Sequence, residues 1–465
     1  MARILFSTVS GAPNQQLPCL YEGFINALLR EGNDVMLMIT NQFIDNCWDS
    51  NYLKPYLNKS MLDRAIKEFN PELVISFNNS LYEKIPKIVD CPIAAWGTDT
   101  APIFAGKRDL KKNISRYHII CSTEELYPSM IEYFNIKKDK LYTVQFATDF
   151  AAENLEQKFN ISFIGTNFCH TNKIKECLIT NSKEDFKKLL EAHKKNVLKK
   201  PDILLKQLHI KNVLVKSIPH SDLLNLLSSN FRTQTLANIC DLGLELYGTD
   251  NWHDVINYSL DLALAYNPKK INSVKENQAI YNKSKIAINI THAQAGKAFG
   301  WRVRDIMATN ACLVSDYRED LTRLFGKYVT IPTFQSPLEA KDVCKKLLKD
   351  DMWRNEITQA SQIAIEENHR FKHRLKELEG IFNIKLFNNT TGTLTQLAAN
   401  DFINNEISRL KLENESLKFY LIMYKNHAST VHMLYSKALK YCPTWAYKFI
   451  KKAVLLINKK NNSVI

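Results

Sequence analysis

KIAINITHAQAGKAFGWRVRDIMATNACLVSD, residues 285–316, sets the reading of the whole chain. Its apolar run, Ile286–Ile290, fits a buried parallel strand. A small-residue loop, Thr291–Gly300, follows, with glycines at Gly296 and Gly300. Then come a short helical stretch, Trp301–Thr309, and a second apolar strand, Ala311–Ser315. A loop that feeds a helix N-terminus offers free backbone N–H groups and the positive end of the helix dipole. Arg302 and Arg304 in the first turn add guanidinium groups that suit an anion. Asp305, one turn in, can accept hydrogen bonds from sugar hydroxyls. Phosphate beside ribose is the pair of features that a nucleotide-sugar presents. The plain alternative is a solvated helix face on which Arg302 and Asp305 pair at i,i+3.

Outward from this unit, residues 1–150 alternate strand-like and helix-like segments. Strands are expected at Arg3–Val9, Asp34–Ile39, Leu73–Phe77, Ile93–Trp96, His118–Cys121 and Leu141–Phe146. The clearest helices are Gln16–Arg30, stopped by Gly32, and Thr123–Tyr133. The pattern restarts at Phe159–Ile164, with Gly165, Thr166 and Asn167 as a turn into the next segment. Residues 171–240 read as largely helical and Lys-rich. Strands follow at Leu244–Tyr247 and Val329–Ile331, and helices at Pro337–Lys349 and Met352–Asn368. Such alternation implies parallel sheets covered by helices. It divides the chain into an α/β domain over 1–150, a second over 151–380, and a segment 381–465 that opens on the polar break Asn388–Thr395.

The chain has 465 residues, 45% hydrophobic and 10% aromatic, enough for two ordinary cores. Its ten cysteines are scattered without a CxxC pair, as expected of buried thiols in a reducing compartment. The N-terminus reads as a strand rather than a leader, and no run has the length of a membrane span. These features point to the cytoplasm. Net charge is +14, but nine lysines and no Asp, Glu or Arg lie between Ser416 and Ile465, leaving +5 on the first 415 residues. Nucleic-acid binding calls for basic residues spread over a folded domain and is not expected. In the tail, lysines interleave with Tyr424, Tyr435, Tyr441, Trp445, Tyr447 and Phe449, a composition suited to an anionic membrane surface. An amphipathic helix packed on the body is the plain alternative.

The runs FNISFIGT (159–166), LELYGTDNW (244–252), the 285–316 unit, LTRLFG (321–326) and ENHRFKHR (367–374) occur in the order seen in a known family. Together they resemble the glycosyltransferases related to the spore-maturation protein CgeB. CPIAAWGTDT (91–100) is similar to a segment of that family's first domain. The resemblance implies a GT-B fold: two Rossmann-like domains facing a cleft, here with a basic helical C-terminal tail. It implies sugar transfer from a nucleoside-diphosphate sugar, with the donor on the second domain. Arg302 then faces the diphosphate, Asp305 stands where a ribose-binding glutamate is usual, and Gly165, Tyr247 and Gly248 line the nucleotide pocket. Thr166, Thr291, Gly300 and Arg304 complete the expected donor-binding set. Lys297 occupies the position of a second glutamate found in retaining members. Asn310 replaces a glycine at the helix end, where Asn also tolerates the left-handed conformation.

For catalysis, Asp99 follows a strand of the first domain and is the candidate base for an acceptor hydroxyl; a helix or turn cap is the rival reading. His292 lies beside the expected phosphates as a candidate donor to the leaving group, or as a loop histidine without a role. No HExxH, His/Cys cluster or Asp-x-Asp is present, so metal-independent transfer is expected, with no cofactor beyond the donor. Walker, GxGxxG and GxSxG motifs are missing. The sequence thus reads as a metal-independent glycosyltransferase, peripheral on the inner face of the membrane, with a surface glycan or glycolipid acceptor. The alternative is a non-catalytic nucleotide-sugar-binding or regulatory protein of the same fold.

Overall fold

Apolar runs of the first 143 residues become parallel strands: β1 Arg3–Thr8, β2 Asp34–Ile39, β3 Leu73–Phe77, β4 Ile93–Gly97, β5 Tyr117–Cys121 and β6 Leu141–Thr143. The computed structural model describes residues 1–9, 17–40, 59–78, 80–81, 84–97, 99, 101, 111–168, 183–197, 199, 201–210, 218–397, 414–415 and 418. Beyond residue 150 the strands are β7 Phe159–Ile164, β8 Leu244–Tyr247, β9 Tyr266–Asn267, β10 Ser284–Asn289, β11 Cys312–Asp316, β12 Thr333–Phe334 and β13 Leu394–Leu397. Among the described residues they form a seven-stranded sheet, β13-β2-β1-β3-β4-β5-β6, and a six-stranded sheet, β12-β11-β10-β7-β8-β9. Every pairing is parallel. β3 and β4 are buried along their whole length, as strands covered on both faces must be. The expected α/β class with two Rossmann-like sheets is therefore the observed one. The chain divides into compact units at Met1–Ala398 and Ala399–Ile465.

Three local expectations are corrected. The last strand of the second sheet is Thr333–Phe334 rather than Val329–Ile331, because the Val329 N–H closes the preceding helix on the Phe325 carbonyl at 3.0 Å. Asn310 does not enter the left-handed region. Its side chain reaches the Glu153 carbonyl at 2.6 Å, and its backbone N–H reaches Asn282 Oδ1 at 2.9 Å. The polar break runs into β13, which pairs with β2 in register Leu394↔Val35. Asp34 anchors it by accepting from Thr393 N and Oγ1 at 2.9 and 2.6 Å.

The second domain also ends earlier than 380. The Phe371–Phe382 helix returns to the first domain, where Phe371, Leu375, Leu378 and Phe382 join its core. Phe371 stacks on Phe24 with centroids 5.2 Å apart. The chain therefore crosses between the sheets twice, and the crossings touch. Thr148 N–H donates to the His369 carbonyl at 3.1 Å, and Arg370 donates to the Phe150 carbonyl. The tail expected to be helical lies outside the described residues, apart from Asn414, Glu415 and Lys418. No helix among the described residues is long and apolar enough to cross a membrane.

Candidate functional site

In the second sheet β7 neighbours both β8 and β10, so the connections diverge on either side of the β7–β10 pair. At such a switch point the strand ends leave a crevice, the usual place for a ligand in an open α/β sheet. Here the crevice is held by Arg232, from the His220–Ile239 helix. Its guanidinium donates to the carbonyls of Thr166, just after β7, and Ile290, just after β10. The Phe168 ring lies 4.6 Å from its charge and the Phe163 ring 5.3 Å. Arg232 is 3% exposed, and its Nε has no hydrogen-bond partner. Burial and the nearby charge of Arg302 pull it down to about 9, still cationic at neutral pH. Among the described residues no ion pair joins Arg232 or Arg302 to a carboxylate. Asp316 acts on Arg232 through space but is itself paired with Arg318; a buried cation outside any salt bridge is costly, and the cost falls when an anion binds.

The loops around this crevice are tightly built. Gly165 N–H donates to the Tyr247 carbonyl at 2.9 Å, and its carbonyl accepts from Trp252 Nε1 at 2.7 Å. Gly248 has φ +156°, and a Cβ there would lie 2.0 Å from the Gly165 oxygen. The loops after β7 and β8 thus approach as closely as a bare backbone allows. Thr166 Oγ1 accepts from Thr249 Oγ1 at 2.9 Å. Tyr247 is buried, and desolvation with Glu245 pushes its phenol up to about 12. Thr291 is fixed by Asp316, whose Oδ1 accepts from Thr291 N and Oγ1, both at 2.8 Å. Asp316 in turn holds buried Arg318, which donates to the Gly296 carbonyl at 2.7 Å. Gly300 faces open space: a Cβ there would meet nothing within 4 Å.

The helix expected over Trp301–Thr309 is Arg302–Met307, and its charged residues separate. Arg302 is half-buried beside Tyr281, within electrostatic reach of Arg232. Arg304 and Asp305 do not present the open groups expected from sequence, because they point into the junction between the chain crossings. Arg304 is 1% exposed and donates to Gln145 Oε1 at 2.9 Å and to His369 Nδ1 at 3.4 Å. Its charge lies 4.9 Å from the Phe299 ring. Asp305, 4% exposed, accepts from Thr148 Oγ1 at 2.6 Å. Burial raises it to about 7. Lys297 is exposed and pairs with Glu319 at 2.6 Å.

His292 is a structural corner. Its Nδ1 accepts from Gln294 N–H at 3.3 Å, so Nε2 carries the proton and meets Asn225 Oδ1 at 3.0 Å. Burial, Arg232 and Arg318 pull it down to about 3, leaving a neutral ring with both nitrogens engaged. That arrangement does not fit the proton-donor role expected for it. Asp99, by contrast, lies where the carboxyl edges of the two sheets meet. Its Oδ2 accepts from Asn78 Nδ2 at 2.7 Å, and its Oδ1 accepts from Gln294 Nε2, across the cleft, at 2.8 Å. Among the described residues no group of three His, Cys, Asp or Glu is placed to hold a metal ion.

Arg232 and Gln294 escaped the sequence reading. Arg232 carried one usable signal: it is the sole Lys or Arg of a 20-residue helix. Residues 230–380, a segment beginning just before Arg232, match the family described as glycosyl transferase-like. No curated protein matches the chain. Among solved structures it is similar to sucrose-phosphate synthase from Thermosynechococcus elongatus, at 10% identity over 82% of this chain and 98% of that one, with a TM-score of 0.48. A glycosyltransferase from Rickettsia africae aligns at 13% identity over 83% and 99%, with a TM-score of 0.40. Anabaena Alr3699/HepE, in complex with UDP and glucose, aligns at 10% identity over 83% and 100%, with a TM-score of 0.43.

Proposed function

We propose that this chain is a glycosyltransferase of the CgeB-related kind that takes a nucleoside-diphosphate sugar at the carboxyl edge of its second sheet. The observation that carries the reading is Arg232, a buried cation in no salt bridge among the described residues, spanning the switch-point carbonyls with Arg302 close by. In this reading the nucleotide enters past Gly165, Thr166, Tyr247 and Gly248. Its diphosphate lies against Thr291, the open side of Gly300 and the Arg302 guanidinium. Arg302 and Arg232 stabilise the charge that develops as the glycosidic bond to phosphate breaks, so metal-independent transfer is part of the proposal. The acceptor, a surface glycan or glycolipid, approaches from the first domain. Asp99, oriented by Asn78 and Gln294, removes its proton. Residues 416–465 are proposed, on their charge alone, to meet an anionic membrane.

Thermal-shift screening against UDP-, GDP-, ADP- and CMP-sugars tests the donor reading, since a ligand that binds the native state raises its melting temperature. At least one is expected to stabilise the wild type and to lose its effect in Arg302→Ala. No stabilisation by any of them ends the reading. The rival, a nucleotide-sugar-binding protein without turnover, draws support from the engaged ring nitrogens of His292 and from the Lys297–Glu319 pair where a second carboxylate is usual. Binding without transfer or hydrolysis, whatever the acceptor offered, would favour it. Loss of the 416–465 segment is expected to release the protein from anionic vesicles in a sedimentation assay.

A further inference from the structure

We infer that Arg304 and Asp305 are positioning residues that fasten the Arg302-bearing helix to both chain crossings, so that occupancy at Arg302 and the setting of the hinge form one equilibrium. The inference rests in part on the proposed anion site at Arg302; the fastening stands on geometry alone. Arg302, Arg304 and Asp305 share a helix of six residues, so they move together. Asp305 holds the first crossing through Thr148 at 2.6 Å. Arg304 holds it through Gln145 at 2.9 Å and grips the second crossing through His369 at 3.4 Å. The crossings are joined to each other by the Thr148 N–H and the His369 carbonyl. Gln145 donates onward to the Ser122 carbonyl, just past β5, so the path reaches the first sheet. Arg304, Asp305, Thr148 and His369 are all buried. Buried polar groups left without partners are costly, so these contacts hold or rearrange as a set. Any free energy linking hinge and anion site acts equally in both directions.

The test uses the full chain with Thr148→Val, which deletes the hydroxyl at nearly constant volume, and Thr148→Ser, which keeps it. Amide hydrogen exchange is followed over 144–150 and 368–371, and UDP, GDP, ADP and CMP are titrated separately by calorimetry. Thr148→Val also removes the acceptor of the Phe150 N–H at 3.1 Å, which by itself speeds exchange in the first crossing, so the fastening is read at 368–371, where exchange is expected to rise. The variant should also weaken whichever nucleotide binds the wild type by roughly tenfold, the effect of losing the hydroxyl's bond to the Asp305 carboxyl. Thr148→Ser should restore both. Arg302→Ala should weaken the nucleotide while hinge exchange in the free protein stays as in the wild type. Unchanged exchange at 368–371 in Thr148→Val overturns the fastening, and faster exchange there with unchanged affinity overturns the coupling. If no nucleotide binds the wild type, the donor reading fails and exchange alone decides: faster exchange at 368–371 supports the fastening, and its absence refutes it.

Discussion

Asp305 shows how a residue's chemistry follows from its surroundings rather than its type. Its carboxyl is raised from an ordinary value of 3.8 to about 7, chiefly by burial, with Thr148, Arg302 and Arg304 opposing the rise. Between these two values the native state holds a proton that the unfolded chain has released. Stability therefore falls as pH rises from about 4 to 7, by up to roughly 4 kcal/mol for a shift of this size. Asp305→Asn keeps an acceptor for Thr148 and carries no charge. Its melting temperature is expected to lose this pH dependence and to exceed that of the wild type at pH 8; urea or thermal unfolding at pH 5 and pH 8 checks both. Arg302→Ala is expected to leave stability within about 0.5 kcal/mol and to cost donor affinity roughly tenfold to a hundredfold, measured by calorimetry. The sequence marked both positions, since a charged helix start after a buried strand is visible in one dimension. It could not separate their roles, because Arg304 and Asp305 find their partners at Gln145, Thr148 and His369, which lie far away along the chain.

At the scale of elements, the two glycine loops make opposite demands. Gly248→Ala would place a methyl 2.0 Å from the Gly165 oxygen at a φ that side chains rarely adopt. It is expected to cost about 3 kcal/mol and to force apart the loops that frame the crevice, abolishing donor-induced stabilisation in a thermal-shift assay. Gly300→Ala meets nothing within 4 Å, so stability should change by less than about 0.5 kcal/mol in the same assay. The strands Asp34–Ile39, Leu73–Phe77, Phe159–Ile164 and Leu244–Tyr247 could be bounded from sequence because their apolar runs end at turn residues. β13 could not. It exposes Leu394 and is held by backbone pairing and by Asp34, which hydrophobic patterning does not register. β9 spans two residues, too few for any periodicity.

Across the whole molecule, the Asp99–Gln294 bond joins the carboxyl edges of the two sheets at 2.8 Å. Gln294→Ala removes it, while the bond from Asn78 to Asp99 within the first domain remains. The variant is expected to sample more open arrangements, read as a larger radius of gyration in solution scattering. On the base role proposed for Asp99, sugar transfer should slow several-fold. The tandem of two α/β domains was legible from the restart of alternation near residue 159, but the double crossing was not. Helix Phe371–Phe382 has an ordinary amphipathic sequence that does not say which core it serves. Its destination bears on how the protein is made. The first core needs Phe371, Leu375, Leu378, Phe382 and Leu386, and its sheet needs residues 394–397. During synthesis the first domain emerges first yet must wait, incomplete, until nearly 400 residues have left the ribosome. The intervening domain has its strands by residue 334 and its last core helix by Asn368, so it can mature ahead of the domain that precedes it.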